Sequence, residues 1–547
     1  MSRRLLPRAF RLLPLCLGLS LVAACGGGND PAEEDLSPQV IKLVKIGGFD
    51  GGALGAAEIT AYDAASKRLF VVNGANGTVD VLDLGNPSAP SKLGTISVSA
   101  FGAAVNSVAV HDGLVALAIE ANPKTSPGTV AFYNATDLRL LGSVTVGAQP
   151  DMVAFTPDGK KVLTANEGEP NSYGLPDSVD PEGSISIVAV NGGTAPTATT
   201  ADFHAFNGQA AALRARGIRI YGPGASVAQD LEPEYVAFSG DGSKAYVTLQ
   251  ENNAIAIVDV ATATVTELKP LGWKDHSLAR MGLDASDEDG GTNTNSGTPL
   301  LKIASQPVRG LYLPDAIASY TVGGSTYFIT ANEGDARADW PGFNEETRVR
   351  QHCVAGLDPS VFGANAANLL FDSNLGRLRI TATPNGDTEG KNAAGQCSAL
   401  YSFGARSFSI WNSSVERVFD SGEDLELLTS SLGNANFNTS HDNNTLDSRS
   451  ASKGPEPEGV VVGQFGSKAI AFVGLERVGG VAVYDVTDPR APKFMDYLNT
   501  RTGTTGDRGP EGLHLIPAAK SPNGKALLIV GHEVSGTTSV LQINEFR

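Results

Sequence analysis

The chain has 547 residues, 63 of them glycine and only 4 of them methionine, and a formal net charge of −18. This acidity argues against nucleic acid and anionic lipid surfaces as partners and favours cations as ligands, although acidity that serves only solubility would give the same charge. The glycines indicate many tight turns and few long helices, and a chain of this length normally folds as several domains unless it is built from repeats.

The first 24 residues have the pattern of a signal peptide. Several arginines precede an almost wholly apolar run at residues 12–24, and no acidic residue precedes Asp30. The run is too short to span the roughly 30 Å of bilayer hydrocarbon comfortably. It ends Leu-Val-Ala-Ala-Cys25, which resembles a bacterial lipobox. We therefore expect residues 1–24 to be a lipoprotein signal peptide and Cys25 to be lipidated; a plain cleavage site beside a chance cysteine is the alternative.

Residues 25–38 are predicted to be a flexible tether, because glycines followed by acidic residues up to Asp35 cannot bury apolar surface. Two or three acyl chains hold a protein stably on a bilayer. Gly26 stands where an aspartate would suggest inner-membrane retention, so the outer membrane or the periplasmic face of the cell envelope is favoured. The expected partners are this membrane, through the N-terminal lipid, and an unknown ligand or surface partner; we expect a monomer.

The cysteines predict one disulfide. Cys16 leaves with the signal peptide and Cys25 carries the lipid, so Cys353 and Cys397 remain. An exported protein lies in an oxidising compartment, where a pair of cysteines is the default expectation. Two free thiols are the alternative.

A pattern of strands recurs through the rest of the chain. Units starting at Pro150 and Pro233 each contain a short apolar strand, an Asp-Gly turn, a second strand, a polar turn and an alternating third strand. Asp-Gly is a strong hairpin signal because both residues can adopt positive φ. Comparable units begin near Glu58, Asn106, Pro150, Pro233, Pro314, Pro457 and Pro510.

These seven units predict an all-β fold for residues 39–547, a seven-bladed β-propeller. Insertions at residues 191–230, 268–310 and 338–400 are expected to be loops on one face. The last unit has three strands, whereas residues 40–47 form an orphan strand of matching length. We expect this N-terminal strand to complete the C-terminal blade and close the ring, which removes two open sheet edges. Two unrelated β domains are the alternative.

Acidic residues recur at two positions of the unit. Equivalent positions in a propeller form rings, and a ring of carboxylates suits hard cations that bind oxygen. The alternative is that the repeats copy turn chemistry, which favours such side chains. The position at the start of the first strand holds Asp151, Glu234, Asp315, Glu458 and Glu511, and the position after the second strand holds Glu120, Glu167, Glu251, Glu333, Glu476 and Glu533.

Four longer motifs resemble a known family. They are Ala-Asn-Glu-Gly-Asp-Ala-Arg at 331–337, Pro-Asp-Ala-Ile-Ala-Ser at 314–319, the acidic Gly-Leu-Asp run at 282–291 and Gly-Pro-Glu-Pro-Glu-Gly at 454–459. Together they resemble the choice-of-anchor I proteins from about residue 40 to the C-terminus. The resemblance implies a surface propeller with a variable anchoring signal, here the lipobox. Members are often labelled alkaline phosphatase-like, which implies phosphate-ester hydrolysis but assigns no catalytic residue in this chain.

The residues themselves offer only a metal-and-carboxylate route to hydrolysis. The chain lacks a Gly-x-Ser-x-Gly elbow, a His-Glu-x-x-His motif and a P-loop. A Ca²⁺ ion bridging a substrate phosphate, with an acid-activated water, needs several convergent carboxylates. Glu167, Glu169, Glu333, Asp335 and Arg337 are expected on one rim, and Arg337 would clamp the phosphate. Of these, Glu167, Glu333, Asp335 and Arg337 are the candidate catalytic residues; a solvated acidic rim with an arginine salt bridge is the alternative.

A second candidate calcium site is the loop at residues 284–293. Asp284, Asp287 and Asp289 are spaced along it and two glycines follow, as in Ca²⁺-binding loops. No glutamate stands at the twelfth position from Asp287, so the loop is not an EF-hand. A plain acidic loop is the alternative. The candidate metal ligands are thus Asp284, Asp287, Asp289, Glu167, Glu169, Glu333 and Asp335, with Ca²⁺ as the candidate ion.

The sequence therefore predicts a lipid-anchored propeller of the bacterial cell envelope that binds a ligand or a surface partner, because function tends to lie in loops on a rigid scaffold. A calcium-dependent phosphoesterase is the first alternative, and a purely structural or adhesive surface protein is the second.

Overall fold

The computed structural model describes residues 37–291, 297–338, 340–384, 390–431 and 436–547. The predicted signal peptide, the lipidation at Cys25 and most of the predicted tether lie outside the described residues. Within those ranges, no helix combines the length and the apolar character needed to cross a membrane.

The chain is all-β in its described parts, as predicted, and most strands form four-stranded antiparallel sheets. Strand β1 is Val40–Asp50. The next sixteen strands form sheets 1 to 4 in chain order. Sheet 1 is β2 Thr60–Asp63, β3 Arg68–Asn73, β4 Thr78–Asp83 and β5 Ser91–Ser97; sheet 2 is β6 Ala104–His111, β7 Leu114–Glu120, β8 Pro127–Asn134 and β9 Leu140–Ala148; sheet 3 is β10 Pro150–Phe155, β11 Lys161–Asn166, β12 Ser184–Ala189 and β13 Thr197–Ala201; sheet 4 is β14 Pro233–Phe238, β15 Lys244–Leu249, β16 Ala254–Asp259 and β17 Thr264–Pro270.

The remaining four-stranded sheets follow the same plan with one long interruption. Sheet 5 is β20 Ile317–Val322, β21 Ser325–Asn332, β25 Ser407–Asn412 and β26 Arg417–Asp420; sheet 6 is β27 Pro457–Phe465, β28 Lys468–Leu475, β29 Val481–Asp485 and β30 Lys493–Leu498; sheet 7 is β33 Pro510–Ile516, β34 Leu527–His532, β35 Thr537–Phe546 and β1. Four-stranded antiparallel sheets of this kind fit a β-propeller.

The turns explain why these segments pair. Gly159 and Gly242 have φ of +68° and +69° in the Asp-Gly turns that join the first and second strands of sheets 3 and 4. Glycine adopts this conformation without the steric cost of a Cβ atom. The turns set registers that pair Val153 with Thr164 and Val236 with Val247.

The first strands of the sheets contact one another in a fixed order: β2, β6, β10, β14, β20, β27, β33 and again β2. An apolar layer lies between the sheets of each neighbouring pair in this order. Between sheets 7 and 1, for example, Leu527 and Ile529 share a buried cluster with Leu69 and Val71. Each sheet is therefore covered by an apolar layer on both faces.

Connections of different length lie at the two ends of the sheets. We call one end the insertion face: it carries the start of each first strand, the end of each second strand, and the long connections at 167–183, 202–232, 271–316, 333–406, 421–456 and 499–509. The opposite end, the short-loop face, has no connection longer than the one at 517–526 among the described residues. The predicted insertions thus fall mainly on one face, and the segment at 421–456 was missed.

The insertions have some structure of their own. Leu283, Val308 and Val349 contribute to a separate apolar cluster that also includes Cys353 and Cys397. These two cysteines form the predicted disulfide, with an S–S distance of 2.10 Å. The remaining strands are β18 Trp273–Asp275, β19 Arg309–Leu311, β22 Glu346–Arg348, β23 Arg379–Thr381 and β24 Tyr401–Ser402, which form one sheet, and β31 Arg501–Thr502 with β32 Thr505–Gly506. The α-helices are α1 Ala210–Ala215, α2 Val227–Asp230, α3 Val349–His352, α4 Pro359–Phe362, α5 Ala366–Leu369 and α6 Asp424–Ser431. The 3₁₀ helices are Gly74–Asn76, Asn191–Gly193 and His204–Gln209.

Strand β1 joins the two ends of the described chain. It pairs antiparallel with β35, from Val40 opposite Phe546 to Asp50 opposite Thr537. Thr537, at the insertion face, pairs with Asp50 at the end of β1. The start of β1 at Val40 therefore lies at the opposite end of the sheet, on the short-loop face. There Ser37 Oγ lies 2.6 Å from the backbone N–H of Ser467, which donates to it.

Candidate functional site

Carboxylates gather where the first strands of the sheets begin. We call the residue at this position in each sheet the first tier. In sheets 2, 3, 4, 6 and 7 the pairing of the first strand shifts register at the first-tier residue. Such β-bulges re-aim side chains and are common beside functional sites. The first tier is Glu58, Asn106, Asp151, Glu234, Asp315, Glu458 and Glu511.

The backbones of neighbouring sheets approach closely at this tier. A Cβ atom on Gly459 would lie 2.1 Å from the carbonyl oxygen of Glu511, and one on Gly512 would lie 2.6 Å from that of Glu58. A Cβ atom on Gly74 would lie 2.0 Å from Glu58 Oε1. These glycines are needed because a larger residue would push the adjoining strands or the Glu58 carboxylate away.

The six first-tier carboxylates have no protein partner. None of them accepts a hydrogen bond or forms an ion pair with any described residue. Glu234 is 9% exposed, and the Oε2 atoms of Glu234, Glu458 and Glu511 are buried without a hydrogen-bond partner. Buried carboxylate oxygens are normally hydrogen-bonded, so these three Oε2 atoms are exceptions. Glu234 is the buried residue of the tier, and the other five acids are half-buried.

The negative charges of these carboxylates instead raise one another's pKa values. Burial, followed by the charges of Glu533 and Asp151, raises the pKa of Glu58 to about 8. Burial, followed by the charges of Glu251 and Asp315, raises the pKa of Glu234 well above its ordinary value. Burial, followed by the charge of Glu58, also raises the pKa of Glu511 well above its ordinary value. These influences cross from one sheet to the next, which indicates that the side chains face a common space.

A second tier follows the second strands: Glu120, Glu167, Glu251, Glu333, Glu476 and Glu533. Two of its members, Glu333 and Glu476, form ion pairs with cationic side chains of the protein. Lys453 Nζ lies 2.6 Å from Glu333 Oε1, 3.1 Å from Glu456 Oε2 and 3.6 Å from Asp335 Oδ1. Arg477 Nε lies 3.0 Å from Glu476 Oε2. Carboxylate oxygens of Glu333, Glu456 and Glu476 lie within 4.8 Å of one another, but three cations of the protein, Lys453, Arg449 and Arg477, already form ion pairs with this cluster.

The other predicted rim residues lie in two different places. Glu167 and Glu169 both accept hydrogen bonds from Gln149 Nε2, and Lys124 Nζ lies 2.7 Å from Glu169 Oε2. The structure thus groups Glu167 with Glu169 around Gln149, and Glu333 with Asp335 around Lys453.

Arg337 lies apart from both groups. It is 2% exposed and its guanidinium binds Asp230 Oδ1 at 2.5 Å and Glu232 Oε2 at 2.9 Å. It also stacks on the ring of Tyr221, with 4.5 Å to the centroid. These ion pairs of Arg337 join the connection at 202–232 to the one at 333–406. Few N–H groups of the guanidinium remain to bind a phosphate.

The charges of the acidic loop at residues 284–293 act on Asp447, an aspartate from a distant segment of the chain. Asp287 is held by two hydrogen bonds of 2.7 Å from Arg377. The charges of Asp284 and Asp289 act on Asp447 after burial, and together they raise its pKa to about 8. The Oδ2 atoms of Asp289 and Asp447 are both buried without a partner. The unpartnered oxygens near the loop are therefore those of Asp289 and Asp447, whereas Asp287 is paired with Arg377 and Asp284 accepts hydrogen bonds from the backbone N–H groups of Lys302 and Ser286. Residues 292–296 lie outside the described ranges.

Sequence reasoning recognised Glu58 and Asn106 as unit starts but did not place them in the first tier, and it missed Asp447. Glu58 precedes its strand without the preceding proline that marks Asp151, Glu234 or Glu511. Asn106 replaces an acid at the equivalent position, and Asp447 lies in an irregular segment without a repeat. For Glu58 and Asn106, alignment of the seven units position by position could have found the signal.

The repeated sheets and their tiers of carboxylates define this chain as a β-propeller protein with an acidic insertion face. The chain belongs to the choice-of-anchor I family, whose model, the choice-of-anchor I domain, matches residues 58–489. This domain places the chain among cell-surface modules.

Two animal proteins are similar in sequence. Gigasin-3a of Magallana gigas is 31% identical over 198 residues, which are 32% of this chain and 67% of that protein. The mesenchyme-specific cell surface glycoprotein of Strongylocentrotus purpuratus is 27% identical over 339 residues, 54% of this chain. The match spans 41% of that glycoprotein.

Solved structures resemble the chain more distantly. Hydrazine synthase of Kuenenia stuttgartiensis aligns with 94% of this chain and 99% of its own, at a TM-score of 0.45 and 13% identity. The β-propeller domain of Cps50 (Swd1) of Myceliophteria thermophila aligns with 92% of this chain and 100% of its own, at a TM-score of 0.42 and 9% identity. Neither likeness adds to what the strand pairing establishes.

Proposed function

We propose that this chain is a lipid-anchored binding module of the bacterial cell envelope, a seven-bladed propeller closed by β1 that presents its insertion face to a ligand or surface partner. The pairing of β1 with β35 and the apolar layer between sheets 7 and 1 support the closure. The membership of the choice-of-anchor I family supports the surface location.

One observation carries the proposal: the chain enters the propeller on the face opposite the insertions. Ser37 lies beside the turn at Gly466 and Ser467 on the short-loop face, whereas every long connection lies on the insertion face. A lipid attached at Cys25 would therefore reach the propeller from its short-loop face and leave the insertion face free to contact a partner. Loops on a rigid scaffold that point to solvent are the usual place for binding residues.

Calcium at the acidic loop is part of this proposal. The buried, unpartnered Oδ2 atoms of Asp289 and Asp447 are oxygen ligands of the kind that Ca²⁺ prefers, and the charge of Asp284 acts on Asp447. An ion there would join the loop at 284–289 to the segment around Asp447 and stabilise the insertion. For the phosphoesterase alternative we find no favouring observation, because Arg337 binds Asp230 and Glu232.

The anchor is tested with two cysteine variants of the full chain. Cys25→Ala should move the protein from the detergent phase to the soluble fraction or stall it as a precursor, because the acyl chains are lost. Cys16→Ala is the matched control and should partition like wild type. The anchor is refuted if Cys25→Ala stays membrane-bound at the wild-type level.

The orientation is tested with single cysteines at Leu54, which is 68% exposed on the insertion face, and at Lys520, exposed on the short-loop face. Each variant is labelled with a fluorophore and bound to vesicles containing a headgroup quencher. The label at Lys520→Cys should be quenched more strongly than the label at Leu54→Cys. Equal quenching, or the reverse order, would show that the insertion face does not point away from the membrane.

A further inference from the structure

A pocket of about 290 Å³ lies among the insertions. Its walls come mainly from three long connections of the insertion face, those at 202–232, 271–316 and 333–406. Ligand pockets begin at roughly this size, so the space suits one ring of a ligand. Its described lining contains an arginine and no carboxylate, which sets it apart from both acidic tiers.

The floor of the pocket is one face of the sheet formed by β18, β19 and β24. Trp273 pairs with Leu311, and Arg309, two residues before Leu311, pairs with Tyr401. Residues directly opposite each other, and residues two apart along a strand, point to the same side of a sheet. The four side chains therefore lie side by side, and all four line the pocket.

The neighbouring residues of this sheet fix it to the scaffold. Lys274 is 1% exposed, and its Nζ donates to the carbonyl oxygens of Ala405 at 2.8 Å and Gly422 at 2.6 Å. Asn253 Nδ2 donates to the carbonyl oxygen of Gly272, just before β18, at 2.7 Å. The platform is thus held in place before a ligand arrives, which lowers the entropic cost of binding.

Trp273 gives the pocket an accessible aromatic surface. It is 45% exposed, whereas Trp411 is 2% exposed, and a tryptophan is usually buried over most of its surface. The Arg309 guanidinium lies 4.8 Å from the centroid of the Trp273 ring and 5.3 Å from that of Tyr401. Tryptophan, tyrosine and arginine are the residues most enriched at the centres of binding sites.

Arg309 has no carboxylate partner among the described residues. Its Nη1 donates to the Tyr401 hydroxyl at 2.6 Å, and a guanidinium carries five N–H donors. Asp275, directly opposite Arg309 on β18, instead accepts hydrogen bonds from the backbone N–H of Ser277 at 2.9 Å and from its Oγ at 2.6 Å. In a chain of net charge −18, this guanidinium is available to an anionic group of a ligand.

We propose that this pocket binds an acidic sugar, one uronic acid residue of a polysaccharide. Arg309 binds the carboxylate through two parallel N–H···O bonds, and the exposed part of the Trp273 ring packs against the apolar C–H face of the pyranose. The membership of a cell-surface family favours a polysaccharide as the source of this sugar. The site names a ligand class for the binding function proposed above and rests on that function.

The main experiment is titration calorimetry on the full chain in detergent, with a trimer of galacturonic acid and with its methyl ester, which has the same rings without the charge. Wild type should bind the acid at least about tenfold more tightly than the ester, because a hydrogen bond to a charged group is worth that much. Arg309→Gln should bind both probes with the affinity of the ester. Arg280→Gln is the matched control, since Arg280 belongs to the same connection and its side chain is 82% exposed; it should bind the acid within about twofold of wild type.

A second pair of variants tests the aromatic platform. Trp273→Ala should weaken the acid and the ester alike, by about tenfold, because the packing surface is lost for both probes. Trp273→Phe should keep most of the affinity. The melting temperatures of these variants and of Arg309→Gln should stay within about 2 °C of wild type, which separates a binding defect from a folding defect.

Benzoate tests whether a sugar is required. It offers a carboxylate and a flat ring but no hydroxyl groups for polar neighbours such as Ser398, which also lines the pocket, so it should bind more weakly than the trimer. Benzoate binding as tight as that of the trimer, no binding of the trimer at millimolar concentration, or wild-type affinity for it in Arg309→Gln would each overturn the assignment. The anchor and the orientation are tested by other variants, so a failure here is distinguishable from a failure of the proposed function.

Discussion

The backbone N–H of Leu43 donates to Asp496 Oδ2 at 2.7 Å, across 453 residues of chain. Leu43 belongs to β1 in sheet 7, and Asp496 belongs to β30 in sheet 6. The same carboxylate accepts a hydrogen bond of 2.8 Å from Lys42 Nζ. Strand β1 is therefore held by its own sheet and by the neighbouring one.

Asp496→Ala should lower the free energy of unfolding by about 2 kcal/mol, because a buried backbone donor loses its acceptor. Chemical denaturation followed by tryptophan fluorescence measures the change. Asp488→Ala, at an exposed position of the connection between β29 and β30, should change it by less than about 0.5 kcal/mol. Equal effects of the two substitutions would mean that Asp496 contributes nothing to holding β1.

Loss of the disulfide should destabilise the insertion more than the sheets. Cys353 and Cys397 are 44 residues apart, and a loop of that size is worth about 4 kcal/mol of chain entropy. Hydrogen exchange on Cys353→Ser with Cys397→Ser should show faster exchange at β22 and β23 than in wild type. Reducing agent added to wild type should reproduce it, and unchanged protection at these strands would contradict the prediction.

Lys453→Met should lower the free energy of unfolding by about 3 kcal/mol, because Glu456 and its neighbours lose a buried partner. Added Ca²⁺ should restore part of the loss, since oxygens of Glu333, Glu456 and Glu476 lie within 4.8 Å of one another. The measurement is the melting temperature with and without Ca²⁺. The exposed control Lys520→Met should show neither effect, and a loss that Ca²⁺ cannot reduce would argue against a cation position there.

His532 should make the fold sensitive to mild acid. Burial lowers the pKa of His532 to about 4, and its Nε2 lies 3.1 Å from Ser539 Oγ. Between about pH 6.5 and pH 4, His532 is protonated in the unfolded chain but remains neutral in the folded chain. The free energy of unfolding therefore falls as the pH falls through this range. The loss attributable to His532 between pH 7 and pH 5 should be about 2 kcal/mol.

His532→Gln should remove that part of the loss, which denaturant unfolding at the two pH values would measure. His204→Gln is the control: hydrogen bonding to Glu182 raises the pKa of this exposed histidine, so its removal cannot reduce the acid loss. A wild-type pH dependence in His532→Gln would show that another group is responsible.

The repeated units allowed the strands and most of both tiers to be predicted from the sequence. Asp-Gly turns and alternating apolar residues are local signals, and the acids at Asp151 and Glu234 stand beside them. Glu58, although recognised as a unit start, was left out of the tier because no proline precedes it. Its place in the tier depends on Gly74, whose missing side chain leaves room for the carboxylate.

Partners that come from distant segments could not be predicted. The sequence predicted that Arg337 would bind a phosphate, but its guanidinium binds Asp230. Asp230 lies 107 residues away in the chain, so no local pattern indicates this pairing. Lys453 and Asp447 reach the acidic residues through an irregular segment whose path no periodicity indicates. Charge patterns show where acids accumulate, but only the fold determines which of them already have a cation.

The pairing of β1 with β35 has a consequence for biosynthesis. Strand β1 is synthesised long before its partner strand at residues 537–546. Until then β1 exposes an unpaired edge, which is a hazard for aggregation. An exported chain would therefore complete sheet 7 only after residues 537–546 have crossed the membrane, and periplasmic chaperones that shield this edge would be expected to raise its yield.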